Sequence, residues 1–375
     1  MFQRIIRMII KSLDIVNYRN LRQANLKLSD GINCFIGSNG AGKTNLLDAI
    51  YYLSFCKSFL NSVDSLNITH GEDFFVIQGE YVIGESIEEI YCGFKVGQKK
   101  QFKRNKKDYP KLSDHIGLVP MVFISPADEQ LIMDGGEVRR RFMDSVISQY
   151  HKPYLEKLIR YTRVVLQRNK LLKESHAKDE SFHRLLDALD IQLSHLGEYI
   201  YNMRLSFVNE MLPIFIKHFI DIAGENESVT IKYQSGLEDA NASERLKALR
   251  QKDMALGYTS FGVHRDDLEL YLNGHLLRRE GSQGQKKSFA VALKLAQYDF
   301  LSKHRGEKPI LVLDDIFDKL DTARSKRLVE LVGENYFNQI FISHTNSEQL
   351  ISSLNTIGKS YLLFNVENGV ISTFS

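Results

Sequence analysis

The segment GSNGAGKT, Gly37–Thr44, constrains the fold of this chain more than any other part of its sequence. It fits the pattern G-x-x-x-x-G-K-[ST] and lies between an apolar, strand-like stretch and a helical one, which is the context this phosphate-binding loop requires. Glycines let successive backbone N–H groups point at phosphate oxygens, and the N-terminus of the following helix adds partial positive charge. We therefore predict a nucleotide site formed by Gly37, Ser38, Asn39, Gly40, Ala41, Gly42, Lys43, Thr44 and Asn45.

A second acidic element completes this prediction. In ILVLDDIFDKLD, four apolar residues predict a buried strand with Asp314 at its end, where a carboxylate can hold Mg²⁺ together with the Thr44 hydroxyl. Lys43 is expected to reach the terminal phosphates, and Asp315 is placed to orient or deprotonate the attacking water. The two elements together predict an ATPase that uses ATP and Mg²⁺.

The stretch EGSQGQKKSF, Glu280–Phe289, is an unusually polar entrance to a helix. Ser282, Gly284 and Gln285 match the ABC-type signature, usually LSGGQ, as S-Q-G-Q. Alone this string is little better than a helix cap, but it follows a P-loop and precedes an aspartate-ended strand. Because a P-loop leaves the far side of the γ-phosphate bare, we predict that these residues bind the ATP of another subunit in an ATP-dependent homodimer.

The middle of the chain is predicted to be helical. One stripe of residues three and four apart predicts a coiled-coil face made of Leu186, Leu189, Leu193, Leu196, Ile200, Met203 and Phe207. An earlier stripe runs through Leu155, Leu158, Thr162, Val165, Asn169 and Leu172. Two antiparallel helices joined by the polar stretch 173–181 explain both stripes, with the leucines as core.

The expected fold class is α/β: an ABC-type P-loop ATPase lobe, with a mixed sheet and flanking helices, split by a helical, short coiled-coil second lobe. The predicted boundaries are 8–120 for the N-terminal half of the ATPase lobe, 121–255 for the helical lobe and 256–375 for the C-terminal half. The chain has 25% charged residues, a net charge of +3, three scattered cysteines and no apolar run of membrane-spanning length. We expect a soluble cytoplasmic protein without structural zinc or a membrane partner.

Several strings resemble the RecF family, DNA-repair ATPases of the SMC-like branch of ABC proteins, along nearly the whole chain. They are NYRNL at 17–21, NGAGKTNLLDAIYYLS, ISPADEQLIMDGGEVRRRFMD, GVHRDDLELYLNG, SQGQKKSFAVALKLAQ and LVLDDIFDKLD. The resemblance implies an ATP-driven dimer that clamps DNA at gaps and single-strand/duplex junctions and releases it on hydrolysis. It also implies RecO and RecR as partners in loading RecA.

The resemblance assigns further residues. His344 in FISHT is similar to the switch histidine that senses the γ-phosphate, and Lys319–Leu320–Asp321 is the loop after the Mg²⁺ strand. Gln130 is the candidate for the glutamine at the junction to the helical lobe. The chain departs from the family at Val263, usually proline, and at Leu60, usually arginine. Asp315 stands where ABC ATPases commonly have glutamate, and we hypothesise slow hydrolysis from its shorter side chain.

Three groups of charged residues each allow a structural and a functional interpretation. Arg139–Arg141 fit packing or salt bridges as well as ligand contact, and His264–Asp267 fit a structural turn as well as a functional site. The basic run 98–111 is either a solvated hairpin or a DNA phosphate contact through Lys99, Lys100, Lys103, Arg104, Lys106 and Lys107.

Other functions remain as alternatives: an SMC-like chromosome ATPase, an ATPase acting on protein partners only, the ATPase of a membrane pump, or a nuclease. The helical insertion and the family strings argue against a pump, and an insertion under roughly a hundred residues is too short to bridge distant DNA segments. No added acidic metal cluster, which a nuclease would need, is visible in the sequence.

Overall fold

A computed structural model describes residues 8–174, 179–238, 241–316, 330, 336–357 and 360–374. The chain divides into two compact units. The first comprises Met1–Glu129, Lys217–Asn226 and Ser282–Ser375, and the second comprises Gln130–Ile216 and Glu227–Gly281. These bounds differ from the predicted 8–120, 121–255 and 256–375, because strand pairing assigns the segments near 121 and 256 to other units.

Two six-stranded sheets form the first unit. The antiparallel sheet has the order β2-β1-β4-β5-β6-β7, with strands β1 Met8–Tyr18, β2 Leu21–Lys27, β4 Phe74–Ile83, β5 Ser86–Lys95, β6 Gln101–Arg104 and β7 Lys107–Asp108. The mixed sheet has the order β15-β14-β3-β13-β12-β8, with strands β3 Ile32–Ile36, β8 Met121–Ile124, β12 Ile310–Asp314, β13 Ile340–His344, β14 Tyr361–Glu367 and β15 Val370–Thr373. Strand β8 pairs with β12, so its residues belong to this unit.

Helix α1, Lys43–Phe55, packs between the two sheets and contacts strands of both. Its residues Leu46, Leu47, Ile50 and Leu53 are fully buried, and they form one hydrophobic core with residues of both sheets. The unit also contains α9, Gln283–Arg305, and α10, Ser347–Ile357. A helix covered on two sides has to be apolar on two sides, which explains the dense apolar spacing after the P-loop.

The second unit contains helices and a three-stranded antiparallel sheet of order β11-β10-β9. Its helices are α2 Gln130–Met133, α3 Gly136–Tyr150, α4 Lys152–Glu174, α5 Glu180–Ala223, α6 Ala242–Ala248, α7 Arg250–Leu256 and α8 Leu277–Glu280. Its strands are β9 Val229–Gln234, β10 Asp267–Leu272 and β11 His275–Leu276. Because β10 pairs with β9, residues 267–272 belong here; α5 continues from this unit into the first at Lys217.

The predicted antiparallel hairpin is confirmed in α4 and α5. Tyr154 on α4 accepts a hydrogen bond from Arg204 on α5, and Arg168 near the other end of α4 pairs with Asp190. Later residues of α4 thus meet earlier residues of α5, as antiparallel helices require. None of the helices in the described ranges combines the length and apolar character needed to cross a bilayer.

The two predicted stripes differ in how well they match the buried faces of their helices. The α5 stripe is largely buried, from Leu186 to Phe207. The α4 stripe was only partly right: Leu172 is buried, but Thr162 is exposed, and the rest of the buried face of α4 is formed by Tyr154, Tyr161, Val164 and Arg168. The helix is rotated from the leucine pattern because Arg168, fully buried, donates hydrogen bonds to the carboxylates of Asp190 and Asp253.

The two charged segments whose roles the sequence did not decide, Arg139–Arg141 and His264–Asp267, contact each other inside the second unit. Arg139 donates to both carboxylate oxygens of Asp267, at 2.7 and 2.9 Å. Arg204 lies 3.5 Å from Asp266, and the Tyr161 hydroxyl lies 2.8 Å from Nδ1 of His264. Burial lowers the pKa of His264 to about 4. Both strings therefore have a structural role, joining α3, α4 and α5 to the segment before β10.

Candidate nucleotide site

The site forms at the carboxyl edge of the mixed sheet. Strand β3 lies parallel to β13, and β13 lies parallel to β12. In this register Ile36 is opposite His344, and Asp314 is opposite Ser343. Parallel strands end at the same edge, so the P-loop after β3, the end of β13 and the end of β12 converge there.

The P-loop backbone depends on its glycines. Gly40 and Gly42 have φ of +80° and +120°, which L side chains rarely adopt. At Gly37, a Cβ would lie 2.1 Å from the carbonyl oxygen of Val366 on β14. The loop therefore needs glycine at these three positions for conformation and for close packing.

Lys43, the first residue of α1, is almost completely buried, at 3% exposure. Its Nζ donates to the carbonyl oxygens of Gly37, at 2.8 Å, and Ser38, at 3.1 Å. The same nitrogen lies 3.9 Å from a carboxylate oxygen of Asp315. The ammonium group is thus held at the P-loop, next to the acidic end of β12.

The Thr44 hydroxyl donates to Oδ1 of Asp314 at 3.0 Å, although the two residues are 270 positions apart. Ser343 donates from Oγ to the same oxygen at 2.7 Å. Burial raises the pKa of Asp314; the hydrogen bond from Ser343 opposes this, the negative charge of Asp315 adds to it, and Thr44 and Lys43 oppose it. Asp314 is therefore a buried carboxylate whose ionised form depends on its hydroxyl donors.

Asp315 and His344 complete the predicted catalytic residues. Asp315 has φ of +45°, and its backbone N–H donates to Ser343 Oγ at 2.9 Å, so its side chain leaves the strand differently from that of Asp314. His344 is 1% exposed, and its Nδ1 accepts from the Asn346 N–H at 3.0 Å. Its carbonyl oxygen accepts from the Gly37 N–H at 3.4 Å, which places the residue beside the P-loop.

Sequence reasoning missed two residues of this site. Asn20, in the turn between β1 and β2, donates to the carbonyl of Ala41 at 3.1 Å and accepts from Asn45 at 2.8 Å. The NYRNL string was the available signal. Ser343 bridges Asp314 and Asp315 and had no local signal, because its role depends on the strand register.

The signature residues begin α9 in the first unit. Ser282 is the N-cap: its Oγ accepts from the Gln285 N–H at 3.2 Å, and the Gln285 side chain accepts from the Ser282 N–H at 2.8 Å. This capping box explains the serine and glutamine three residues apart. Gly284 lies in the first turn of α9, and Ser282 is exposed at its N-terminus.

The basic run forms a hairpin of β6 and β7, with Asn105 and Lys106 in the left-handed conformation at its turn. Lys100 pairs with Asp64 at 2.9 Å, and Arg104 makes two bonds of 2.8 Å to Glu88. These two predicted DNA contacts are therefore occupied by carboxylates.

The remaining basic residues of the hairpin are more accessible. The Nζ of Lys103 lies 5.7 Å from the ring centroid of Tyr91, and three of the predicted DNA contacts, Lys99, Lys106 and Lys107, are exposed. Gln130 is exposed at the start of α2 in the second unit. The predicted loop Lys319–Leu320–Asp321 lies outside the described residues.

Comparison with known proteins places this geometry in a family. The model of the RecF/RecN/SMC N terminal domain matches residues 9–372. The DNA replication and repair protein RecF of Bacteroides fragilis strain YCH46 is 49% identical over 366 residues, covering 97% of this chain and 98% of that protein.

Comparison with solved structures supports the same family and fold. The recombination mediator protein RecF with ATP, of the RecFOR pathway, matches with a TM-score of 0.90 and 29% identity, covering 99% of both chains. The SMC head domain of Pyrococcus furiosus, at 16% identity and a TM-score of 0.57, covers 98% of this chain and 96% of that one and shares the fold. The predicted fold class and the resemblance are confirmed, and the chain belongs to the RecF family of DNA replication and repair proteins.

Proposed function

We propose that this protein is an ATP-dependent DNA-binding protein of recombinational repair and replication-fork maintenance, and that it works as an ATPase switch in the cytoplasm. The main support for this proposal is the arrangement at one edge of the mixed sheet, where four side chains lie close together: Lys43, Thr44, Asp314 and Asp315. Phosphoryl transfer to water requires a cation and backbone N–H groups that bind the phosphates, oxygen ligands that bind a metal, and a carboxylate that orients the attacking water.

The residues present suit Mg²⁺. Thr44 Oγ1 and Asp314 Oδ1 are hard oxygen donors 3.0 Å apart, next to the P-loop. Among the described residues no group of three or more His, Cys, Asp or Glu side chains forms a metal cluster. Mg²⁺ at nucleotide sites needs only one or two protein carboxylates beside the phosphates. When bound, the ion would neutralise charge on the phosphate oxygens.

The chain's own groups then divide the work of hydrolysis. The P-loop N–H groups and Lys43 bind the phosphates, Asp315 orients or deprotonates the attacking water, and His344 senses the γ-phosphate. Ser343 keeps both carboxylates in place through its two hydrogen bonds. Asp315 carries one methylene fewer than the glutamate common in ABC ATPases, which supports slow hydrolysis suited to a switch.

Two copies are proposed to enclose two ATP molecules. Ser282, Gly284 and Gln285 of one copy would contact the ATP held by the P-loop of the other. The exposed position of Ser282 at the N-terminus of α9 supports this, because the positive end of a long helix attracts anions.

The DNA and protein partners follow from the family. Among its relatives is a recombination mediator of the RecFOR pathway. By that similarity the dimer clamps DNA at gaps and single-strand/duplex junctions, acts with RecO and RecR, and promotes RecA loading. The DNA contact is assigned to the exposed members of the basic hairpin, Lys99, Lys106 and Lys107, with Lys103 beside them.

The test is fluorescence anisotropy of a labelled gapped duplex at fixed salt, with and without ATP. Asp315→Asn is used to hold nucleotide, and Ser282→Arg is added to block closure across two copies. We expect tighter binding with ATP and loss of that gain with Ser282→Arg. Equal binding with and without ATP would confine the switch to protein partners. No binding in any nucleotide state would remove DNA from the proposal.

A further inference from the structure

Three lysines are buried among the residues that the structure describes: Lys43 at 3% exposure, Lys286 at 7% and Lys294 at 8%. A buried ammonium group is costly unless the protein or a ligand supplies hydrogen-bond acceptors or an opposite charge. Lys43 belongs to the P-loop and donates to two of its carbonyl oxygens. The other two lysines lie on α9, the helix that starts at the signature residues.

Lys294 has a partner within the chain. Its Nζ lies 3.3 Å from Oδ1 of Asp128, which is itself buried. The other carboxylate oxygen of Asp128 accepts a hydrogen bond from the Ser125 N–H at 2.7 Å. Burial raises the pKa of Asp128, and the charge of Lys294 opposes this rise. The two buried charges therefore stabilise each other.

Lys286 differs from Lys294 in this respect. Among the described residues, no carboxylate lies within 4.0 Å of its Nζ and no acceptor forms a hydrogen bond with it. Lys286 is also the fourth residue of α9, near the positive end of the helix dipole, which disfavours a cation. The described part of a single copy therefore holds a buried cation at this position without an anion that would stabilise it.

Helix geometry directs Lys286 toward Ser282. Residues four apart are neighbours on one face of a helix, and side chains tilt toward the helix N-terminus. The four-carbon stem of a lysine can cover one turn, about 5.4 Å, so the ammonium group is directed to the entrance of α9. The Ser282 hydroxyl accepts from the Gln285 N–H at 3.2 Å and keeps its own hydrogen for a further acceptor. A hydroxyl donor, a cation and the positive end of a helix thus meet at one place.

We infer that Lys286 binds a phosphate group of the ATP held by a second copy of this protein. This inference rests on the proposed function, in which the signature residues of one copy contact the ATP of the other. The phosphate would supply the negative charge opposite Lys286, and charge-assisted hydrogen bonds are about twice as strong as neutral ones. A DNA phosphate fits less well, because one lysine and one hydroxyl form a local site rather than an extended basic surface.

Closure of the dimer without ATP would bury this cation further and leave it without an anion. Such burial is unfavourable, whereas a bound triphosphate turns the same closure into an ion pair. Lys286 would therefore help to make dimerisation depend on ATP.

The test measures dimerisation by light scattering in the Asp315→Asn protein, used to hold ATP. Lys286→Met keeps an apolar stem in the buried position and removes the charge. We expect the dissociation constant of the ATP-bound dimer to rise by about tenfold or more, because each dimer loses two charged contacts. A fluorescent ATP analogue, added at protein concentrations too low for dimers, should bind with unchanged affinity, because the P-loop of each copy is intact.

Two other lysines of α9 serve as controls. Lys303→Gln removes an exposed charge from the last turn of the helix and should change neither measurement. Lys294→Met leaves the buried Asp128 without its cation, so the urea midpoint of the ATP-free protein should fall. Lys286→Met should leave that midpoint unchanged or raise it, because no carboxylate of the described residues loses a partner.

Four results would overturn the inference. The first is an ATP-bound dimer that Lys286→Met does not weaken. The second is a urea midpoint that Lys286→Met lowers as much as Lys294→Met does, which would assign Lys286 to a carboxylate of its own chain. The third is an equal loss of gapped-duplex binding without ATP, which would assign the phosphate to DNA. The fourth is the absence of an ATP-dependent dimer before any change at Lys286; this result alone would also remove the dimer from the proposed function.

Discussion

Ser343 offers the sharpest test of the candidate site. Its hydroxyl is completely buried, donates to Asp314 Oδ1 at 2.7 Å and accepts from the Asp315 N–H at 2.9 Å. Ser343→Ala removes both bonds and leaves the strand otherwise unchanged. A hydrogen bond to a charged group contributes about 1.5–3 kcal/mol, and about 1.4 kcal/mol corresponds to a tenfold change in affinity.

If that energy is lost from the metal site, the Mg²⁺ concentration for half-maximal ATP hydrolysis should rise between about tenfold and a hundredfold. The pH dependence should change as well. The Ser343 hydroxyl lowers the pKa of Asp314, so its removal raises that pKa. Because only the ionised carboxylate holds the metal, the acidic limb of the activity profile should move to higher pH.

The assay is a Mg²⁺ titration of ATP turnover across pH, paired with Mg²⁺-dependent binding of a fluorescent ATP analogue. Ser54→Ala is the control: Ser54 is also buried and hydrogen-bonded, but to the carbonyl of Val119 rather than to a carboxylate. It should lower stability without changing the Mg²⁺ requirement. If Ser343→Ala and Ser54→Ala give the same titrations, the argument for Ser343 is wrong.

Three other changes test the rest of the molecule. Arg168→Met should destabilise the second unit by about 3–5 kcal/mol in urea unfolding, because it leaves two buried aspartates without their cation; a loss under ~1 kcal/mol would contradict this. Burial lowers the pKa of His264 to about 4, against about 6.5 when unfolded, so its contribution is complete above pH 6.5 and is lost as pH falls through 4. The free energy of unfolding should therefore fall less between pH 7 and pH 5 for His264→Gln than for the unchanged protein, by up to about 2 kcal/mol. An equal fall in the two proteins would rule out this titration. Replacing Lys106 and Lys107 by glutamate should weaken DNA binding and reduce its logarithmic salt slope by about two; an unchanged slope would move the DNA contact elsewhere.

The local motifs could be predicted because their geometry lies within a few contiguous residues. A strand, a glycine loop and a helix start follow one another at Gly37–Thr44, and an apolar run ends at Asp314. The serine and glutamine of the α9 capping box are likewise three residues apart. In each case backbone conformation and hydrogen bonding are set by neighbours in the chain.

Other features could not be predicted because they depend on partners distant in sequence. Lys100 and Arg104 were predicted as DNA contacts from a local basic run, and only the folded sheet shows that they pair with Asp64 and Glu88. The face of α4 was misjudged because leucine spacing gives no sign that Arg168 is buried.

The sequence by itself therefore determined the local motifs of this protein: a P-loop pattern, an aspartate at the end of an apolar strand and a capped helix start. Only the tertiary structure decided which groups meet. Thr44 reaches Asp314 across 270 residues, and Ser343 joins the two aspartates because the register of β12 against β13 sets it opposite Asp314. The physical reason is that strand pairing and burial are long-range, so the partner of a charged or hydroxyl group is fixed only when the sheet is complete.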